Sequence, residues 1–115
     1  SISSDCLEQR FQEMSEQNYQ CLVARDQDRI VAACGLWLTT RLYCGKQIEV
    51  DNVIVHPDYR SQGLGKKLMQ WLYDYAKSIG CETVELNTYV TNSQSHKFYY
   101  NEGFETLGFH MQRKL

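Results

Sequence analysis

Apolar positions along the chain follow two periods, and these divide it into elements. Leu7, Phe11 and Met14 recur at i, i+4 and i+7 behind Asp5, whose third successor is Glu8, which predicts a short capped amphipathic helix over residues 5–17. Residues 21–25 and 30–39 are rich in β-formers and flank the polar run Asp26-Gln27-Asp28-Arg29, so they predict an antiparallel hairpin. The second run is almost wholly apolar, the pattern of a central strand covered on both faces. Cys44-Gly45-Lys46 predicts a turn and residues 47–55 a further strand. Pro57, which has no N–H for a ladder, ends it.

Helical spacing then returns. Leu64, Leu68, Leu72, Tyr75, Ala76 and Ile79 form one stripe, with Gly80 as a C-terminal stop. Residues 83–90 alternate Val84, Leu86 and Thr88 against Glu85, Asn87 and Tyr89, which predicts a strand. Residues 93–101 predict a short helix closed by Gly103, and 104–114 a last extended segment broken at Gly108. No repeat, linker or low-complexity tract interrupts this order, so the expected assembly is one α/β (α+β) domain over residues 1–115 with a mixed sheet.

Composition fits one globular core: 115 residues, 43% apolar and 23% charged. A net charge of −2 leaves no broad basic surface, which argues against duplex nucleic acid or an anionic membrane as partner. Any anion site must therefore be local. The longest apolar run, residues 30–38, is far short of the ~20 residues that span a bilayer, and no apolar signal segment leads the chain, so a cytoplasmic location is expected. Five cysteines, without Cys-x-x-Cys or paired histidine spacing, predict free thiols and no metal site.

Local anion chemistry is offered by Arg60-Ser61-Gln62-Gly63-Leu64-Gly65, which stands between a strand and a helix opening at Leu64. Glycines there let backbone approach a ligand closely, and the first-turn N–H groups face an anion with the positive end of the helix dipole behind them. Lys66 and Lys67 fit as solvated surface or as helpers. A P-loop would need a hydroxyl residue after its lysine, and position 67 is Lys. A dinucleotide fold would place the loop after the first strand and carry a third glycine, where position 68 is Leu.

With this loop the sequence resembles the GNAT superfamily of acyl-CoA-dependent N-acetyltransferases, whose signature Arg/Gln-x-x-Gly-x-Gly/Ala is matched by Arg60-x-x-Gly63-x-Gly65. A second block, Asn92-x-x-Ser95-x-x-Phe98-Tyr99-Tyr100-Asn101-Glu102-Gly103-Phe104, is similar to the family's downstream motif, with Ser95 where a small apolar residue is commoner. The resemblance implies the GNAT fold, a mixed central sheet with helices on both faces, here lacking the usual first strand and helix, as in a truncated form or a homodimer whose second copy covers the exposed edge. It implies acetyl-CoA as co-substrate and no metal. The backbone of Val53, Ile54 and Val55 would pair with the pantetheine arm. Amides from Gln62 to Lys66, in the loop that Arg60 and Ser61 open, would hold the pyrophosphate, Asn92 the pantetheine, and Tyr99 the thioester sulfur. Asn52 breaks the alternation Ile48, Val50, Ile54 and reads as the family's bulge.

The implied reaction is direct attack of a primary amine on the thioester in a ternary complex. Glu49 and Asp51, two residues apart on one strand face, are the candidate bases; each fits equally as a polar residue on a wet face. Tyr99 is the candidate acid. His56, His96 and His110 read as structural or exposed, with His110 the one able to line the acceptor site. Two other readings remain open: a non-catalytic acyl-CoA sensor or regulatory domain, and a protein or peptide Nα-acetyltransferase.

Overall fold

The computed structural model describes all residues, Ser1–Leu115. Helix α1 (Ser4–Ser15) leads to strands β1 (Tyr19–Asp26), β2 (Arg29–Arg41) and β3 (Gly45–Val55), followed by helix α2 (Leu64–Ser78), strand β4 (Thr83–Leu86) and helix α3 (Ser93–Asn101). The cap of α1 is Ser3, not Asp5: the Ser3 hydroxyl accepts the N–H of Cys6 at 3.2 Å, and the helix ends at Ser15. Asp5 instead lies in the first turn, where its carboxylate suits the positive end of the dipole.

The sheet runs in the order β1-β2-β3-β4, antiparallel except for the parallel pair β3–β4. One face carries the core: Cys34, Leu36, Ile48 and Val50 pack against Leu68, Met69, Leu72 and Ala76 of α2. On the other face the Phe11 ring of α1 meets Tyr19 edge-on at 6.1 Å, so helices flank both faces of the mixed sheet. The β2–β3 turn is residues 42–44, because Arg41 already pairs with Gly45; the turn expected at 44–46 moves back by two residues. Gly45 takes φ +72° there, a conformation that costs an L side chain.

The bulge expected at Asn52 is present. Ala33 pairs with Ile54 and Gly35 with Asp51, so Asn52 and Val53 together face Cys34, and Asn52 adopts φ +50°. The extra residue reverses the face of the strand: Ile48 and Val50 reach the core before it, Val53 and Val55 after it. It also re-aims β3, and the ladder with β4 stops at Val50–Leu86. The strand expected over 83–90 therefore ends at Leu86. The segment expected over 104–114 joins no strand, and its alternating Leu107, Phe109 and Met111 are exposed.

Cys34 is 2% exposed, and burial, with the nearby Cys21, pushes its thiol up to about 11. At pH 8 roughly one molecule in a thousand then carries the thiolate. Iodoacetamide should label exposed Cys21 in the native protein and spare Cys34 until the chain is unfolded, as read by peptide mass mapping; native labelling of Cys34 would contradict this burial.

Candidate active site

The loop before α2 is braced from the hairpin side. Tyr59 donates its hydroxyl to Asp26 at the end of β1 at 2.5 Å, the Arg29 guanidinium lies 5.8 Å from the Tyr59 ring centre, and Arg29 pairs with Asp58 at 3.4 Å. Beyond this brace Ser61 takes φ +64° and Gly63, the N-cap of α2, φ +74° with no side-chain cap. Alternating left-handed residues turn successive N–H groups toward one side, the geometry of an anion nest. None of the six backbone N–H groups from Ser61 to Lys66 donates within the chain; the first to do so is Lys67, to the Gly63 carbonyl at 3.1 Å. The amides that the sequence assigned to an anion are thus free. Arg60 turns back to the Val55 carbonyl at 3.4 Å, and Gln62 to the Asp58 carbonyl at 3.3 Å, so their side chains support the loop rather than extend from it.

The second feature is a gap in the sheet. Because β4 leaves β3 after Val50–Leu86, the β4-facing side of β3 from Asp51 to Val55 pairs with no strand. Backbone groups of Val53, Ile54 and Val55 on that side are available to an extended ligand, in the manner of an added strand. Phe98 of α3 lies 3.7 Å from where a Cβ on Gly65 would stand, so α3 packs beside the loop across this gap.

Tyr99 is half-buried, its ring edge-on to Phe98 (5.2 Å) and Phe104 (5.5 Å). Burial raises its phenol above the ordinary value, with a smaller push from Cys34. Tyr100 points away and bonds Thr106. Asn92 caps α3, its Oδ1 accepting the Ser95 N–H at 3.2 Å, which leaves Nδ2 to reach a ligand. His56 accepts the Asp58 N–H and His96 meets the Tyr89 carbonyl, both structural, while His110 stands exposed in the unpaired tail.

Glu49 and Asp51 do share a face of β3, on the side away from α2. Register brings them neighbours that sequence order alone did not suggest. Trp37 pairs with Glu49 across β2, Glu85 pairs with it across β4, and Tyr19 pairs with Trp37 across β1. Asn87 donates to Glu49 at 2.9 Å, Trp37 Nε1 to Asp51 at 3.4 Å, and Tyr43 to Glu85 at 2.5 Å. The hydrogen bond to Glu85 pushes the exposed Tyr43 phenol up to about 12. Tyr19 lies against Gly35, where an added Cβ would fall 2.5 Å from its hydroxyl. The alternation of 83–90 had already put Glu85 and Asn87 on one face; only the parallel register reveals that this face is shared with Glu49.

Residues 2–104 match the acetyltransferase (GNAT) family. The chain belongs to the GNAT family. It is 27% identical over 119 residues to glucosamine 6-phosphate N-acetyltransferase of Arabidopsis thaliana, covering 98% of this chain and 78% of that protein. The crystal structure of the Arabidopsis enzyme superposes with a TM-score of 0.71, at 26% identity over 99% of this chain and 80% of its own. Aminoalkylphosphonate N-acetyltransferase of Salmonella typhimurium is 31% identical over 67 residues, which are 58% of this chain and 44% of that protein. A Bacillus halodurans structure described as a transcriptional regulator superposes with a TM-score of 0.83 at 25% identity, covering 99% of this chain and 77% of its own. As a GNAT protein with N-acetyltransferase relatives, the chain is an acyltransferase of the acetyl-CoA-dependent class. No helix is long and apolar enough to cross a membrane.

Proposed function

We propose that this GNAT domain transfers acetyl from acetyl-CoA to a primary amine by direct attack in a ternary complex. The observation that carries the reading is the run of six free amides at the start of α2, next to a β3 edge left open for an extended arm. Pyrophosphate on the amides from Gln62 to Lys66, at the loop begun by Arg60 and Ser61, would run the pantetheine along Val53, Ile54 and Val55, with Asn92 Nδ2 as a further donor. Tyr99 then meets the sulfur, and Glu49 or Asp51 the amine side.

An amine near pKa 10 is protonated at neutral pH. Direct transfer of its proton to a carboxylate near 4 is uphill by about 6 units, or roughly 8 kcal/mol. Relay through water, or capture after attack when the nitrogen has become acidic, avoids that cost. We assign residues 1–115 to one domain working in the cytoplasm, which the five free thiols support. The exposed stripe Leu107, Phe109 and Met111 supports a homodimer, which light scattering would detect as twice the chain mass.

The decisive experiment incubates the chain with acetyl-CoA and a panel of primary amines, following free CoA by chromatography. Amine-dependent CoA release with no acetylated protein by mass spectrometry is the expected result. Tight CoA binding with no release for any amine would leave a non-catalytic binder.

A further inference from the structure

The face that carries Glu49 and Asp51 has an electrostatic character that bears on the acceptor. Glu49 and Glu85 are register partners on adjacent strands, a placement in which like charges repel. Asp51 is the next residue along on the same face. The chain's ion pairs are Arg29–Asp58 and His56–Asp58, so none of these three carboxylates has a cation of its own. Neutral donors hold them instead: Asn87 on Glu49, Trp37 on Asp51, and Tyr43 with Thr83 on Glu85. Along β2 and β3 the first basic residue on this face is Arg41, two same-face pairs beyond Trp37–Glu49, at the hairpin end.

A second observation points the same way. Gln47 occupies the neighbouring row of that face, between Thr39 and Thr83, and is 3% exposed. Its Nε2 donates to Thr39 at 3.1 Å, and its Oε1 has no donor at all. Its register partner on β4 is Thr83, and Glu85 lies one row on from that pair. Three carboxylates without a cation and an orphaned buried acceptor form a face that is short of positive charge. Trp37 and Tyr19, with ring centres 4.9 Å apart, add aromatic faces that favour a cation.

We propose that the acceptor is a diamine or similar amine with a second positive charge held against Glu85, and that it bears no phosphate or phosphonate. The proposal rests on the acetyl-transfer reading and narrows it. It separates this chain from its two named relatives, whose acceptors are by name a sugar phosphate and an aminoalkylphosphonate. Glu85 is a specificity residue in this scheme: it binds the distal ammonium while the reacting nitrogen lies beside Glu49.

The test compares 1,4-diaminobutane, n-butylamine and 3-aminopropyl phosphate as acceptors with acetyl-CoA. The expected order of kcat/KM is diamine first, by roughly tenfold over the monoamine, with the phosphate last. Glu85→Gln should raise KM for the diamine about tenfold, leave its kcat unchanged, and alter n-butylamine by less than about twofold. High salt should erase most of the diamine's advantage. Equal rates for diamine and monoamine, or a preference for the phosphate, would overturn the acceptor assignment while acetyl transfer stands. Calorimetric titration of diamine into the CoA-loaded protein gives a readout that needs no turnover: salt-sensitive binding lost in Glu85→Gln supports the proposal even for an inactive protein, and no binding overturns it.

Discussion

Replacing Tyr99 with Phe should lower kcat for acetyl transfer by about 100-fold and leave the affinity for CoA within a factor of two. The ring is fixed from both sides by Phe98 and Phe104, so the variant keeps its packing. Burial holds the phenol above its ordinary value, with no hydrogen bond among the causes, so at neutral pH it is a protonated donor with nothing inside the chain to donate to. A CoA thiolate has a pKa near 8.5, already about 1.5 units below an unshifted phenol, and the upward shift widens that gap. Full proton transfer is therefore less favourable than a hydrogen bond that strengthens as charge develops on the leaving sulfur. Such a bond is made mainly in the transition state, so its loss appears in kcat and not in binding. Thermal stability should barely change, because the hydroxyl removed had no partner. Undiminished turnover would reduce Tyr99 to a packing residue.

What the sequence disclosed followed from how local each signal is. The loop from Arg60 to Gly65, with its free amides, is legible because its signals are local: two glycines, a preceding strand and a following helix are all written within a few residues. Asn52 is legible for a similar reason, since a polar residue that interrupts the alternation Ile48, Val50, Ile54 marks a bulge without knowledge of any partner, but the change of face that turns Val53 to the core and exposes Ile54 is read only from the pairing. The consequences of that bulge are not local. Nothing in Asn87 to Val90 says that β4 will lose its partner; β3 turns away, and the β-like alternation there finds no ladder. The acidic face was hidden likewise, because Glu49 and Glu85 become neighbours only through a parallel register set by the whole length of α2. Ser3 takes the cap from Asp5 by standing two residues earlier, and a single side-chain hydrogen bond to the Cys6 N–H marks it.

Gly63→Asp should weaken CoA binding by roughly 30- to 100-fold, the larger effect on affinity of any single change to the loop. Gly63 stands at φ +74° with open space where a Cβ would go, so the new side chain meets no steric barrier. Asp tolerates the left-handed region better than most residues, at a cost of about 1 kcal/mol that falls on folding rather than on ligand. Its carboxylate would stand at the start of α2, where the free amides gather. At an effective dielectric constant near 20, two like unit charges roughly 5–6 Å apart repel by about 3 kcal/mol, less after screening by salt. Gly63→Asn isolates this term: it has the same shape and a similar backbone preference but no charge, and should bind CoA within a few-fold of the unmodified chain. Raising the salt concentration should then narrow the gap between the Asp and Asn variants. Should both variants bind CoA as the parent does, the six amides would be facing water in the complex, and the pyrophosphate would have to lie elsewhere on the molecule.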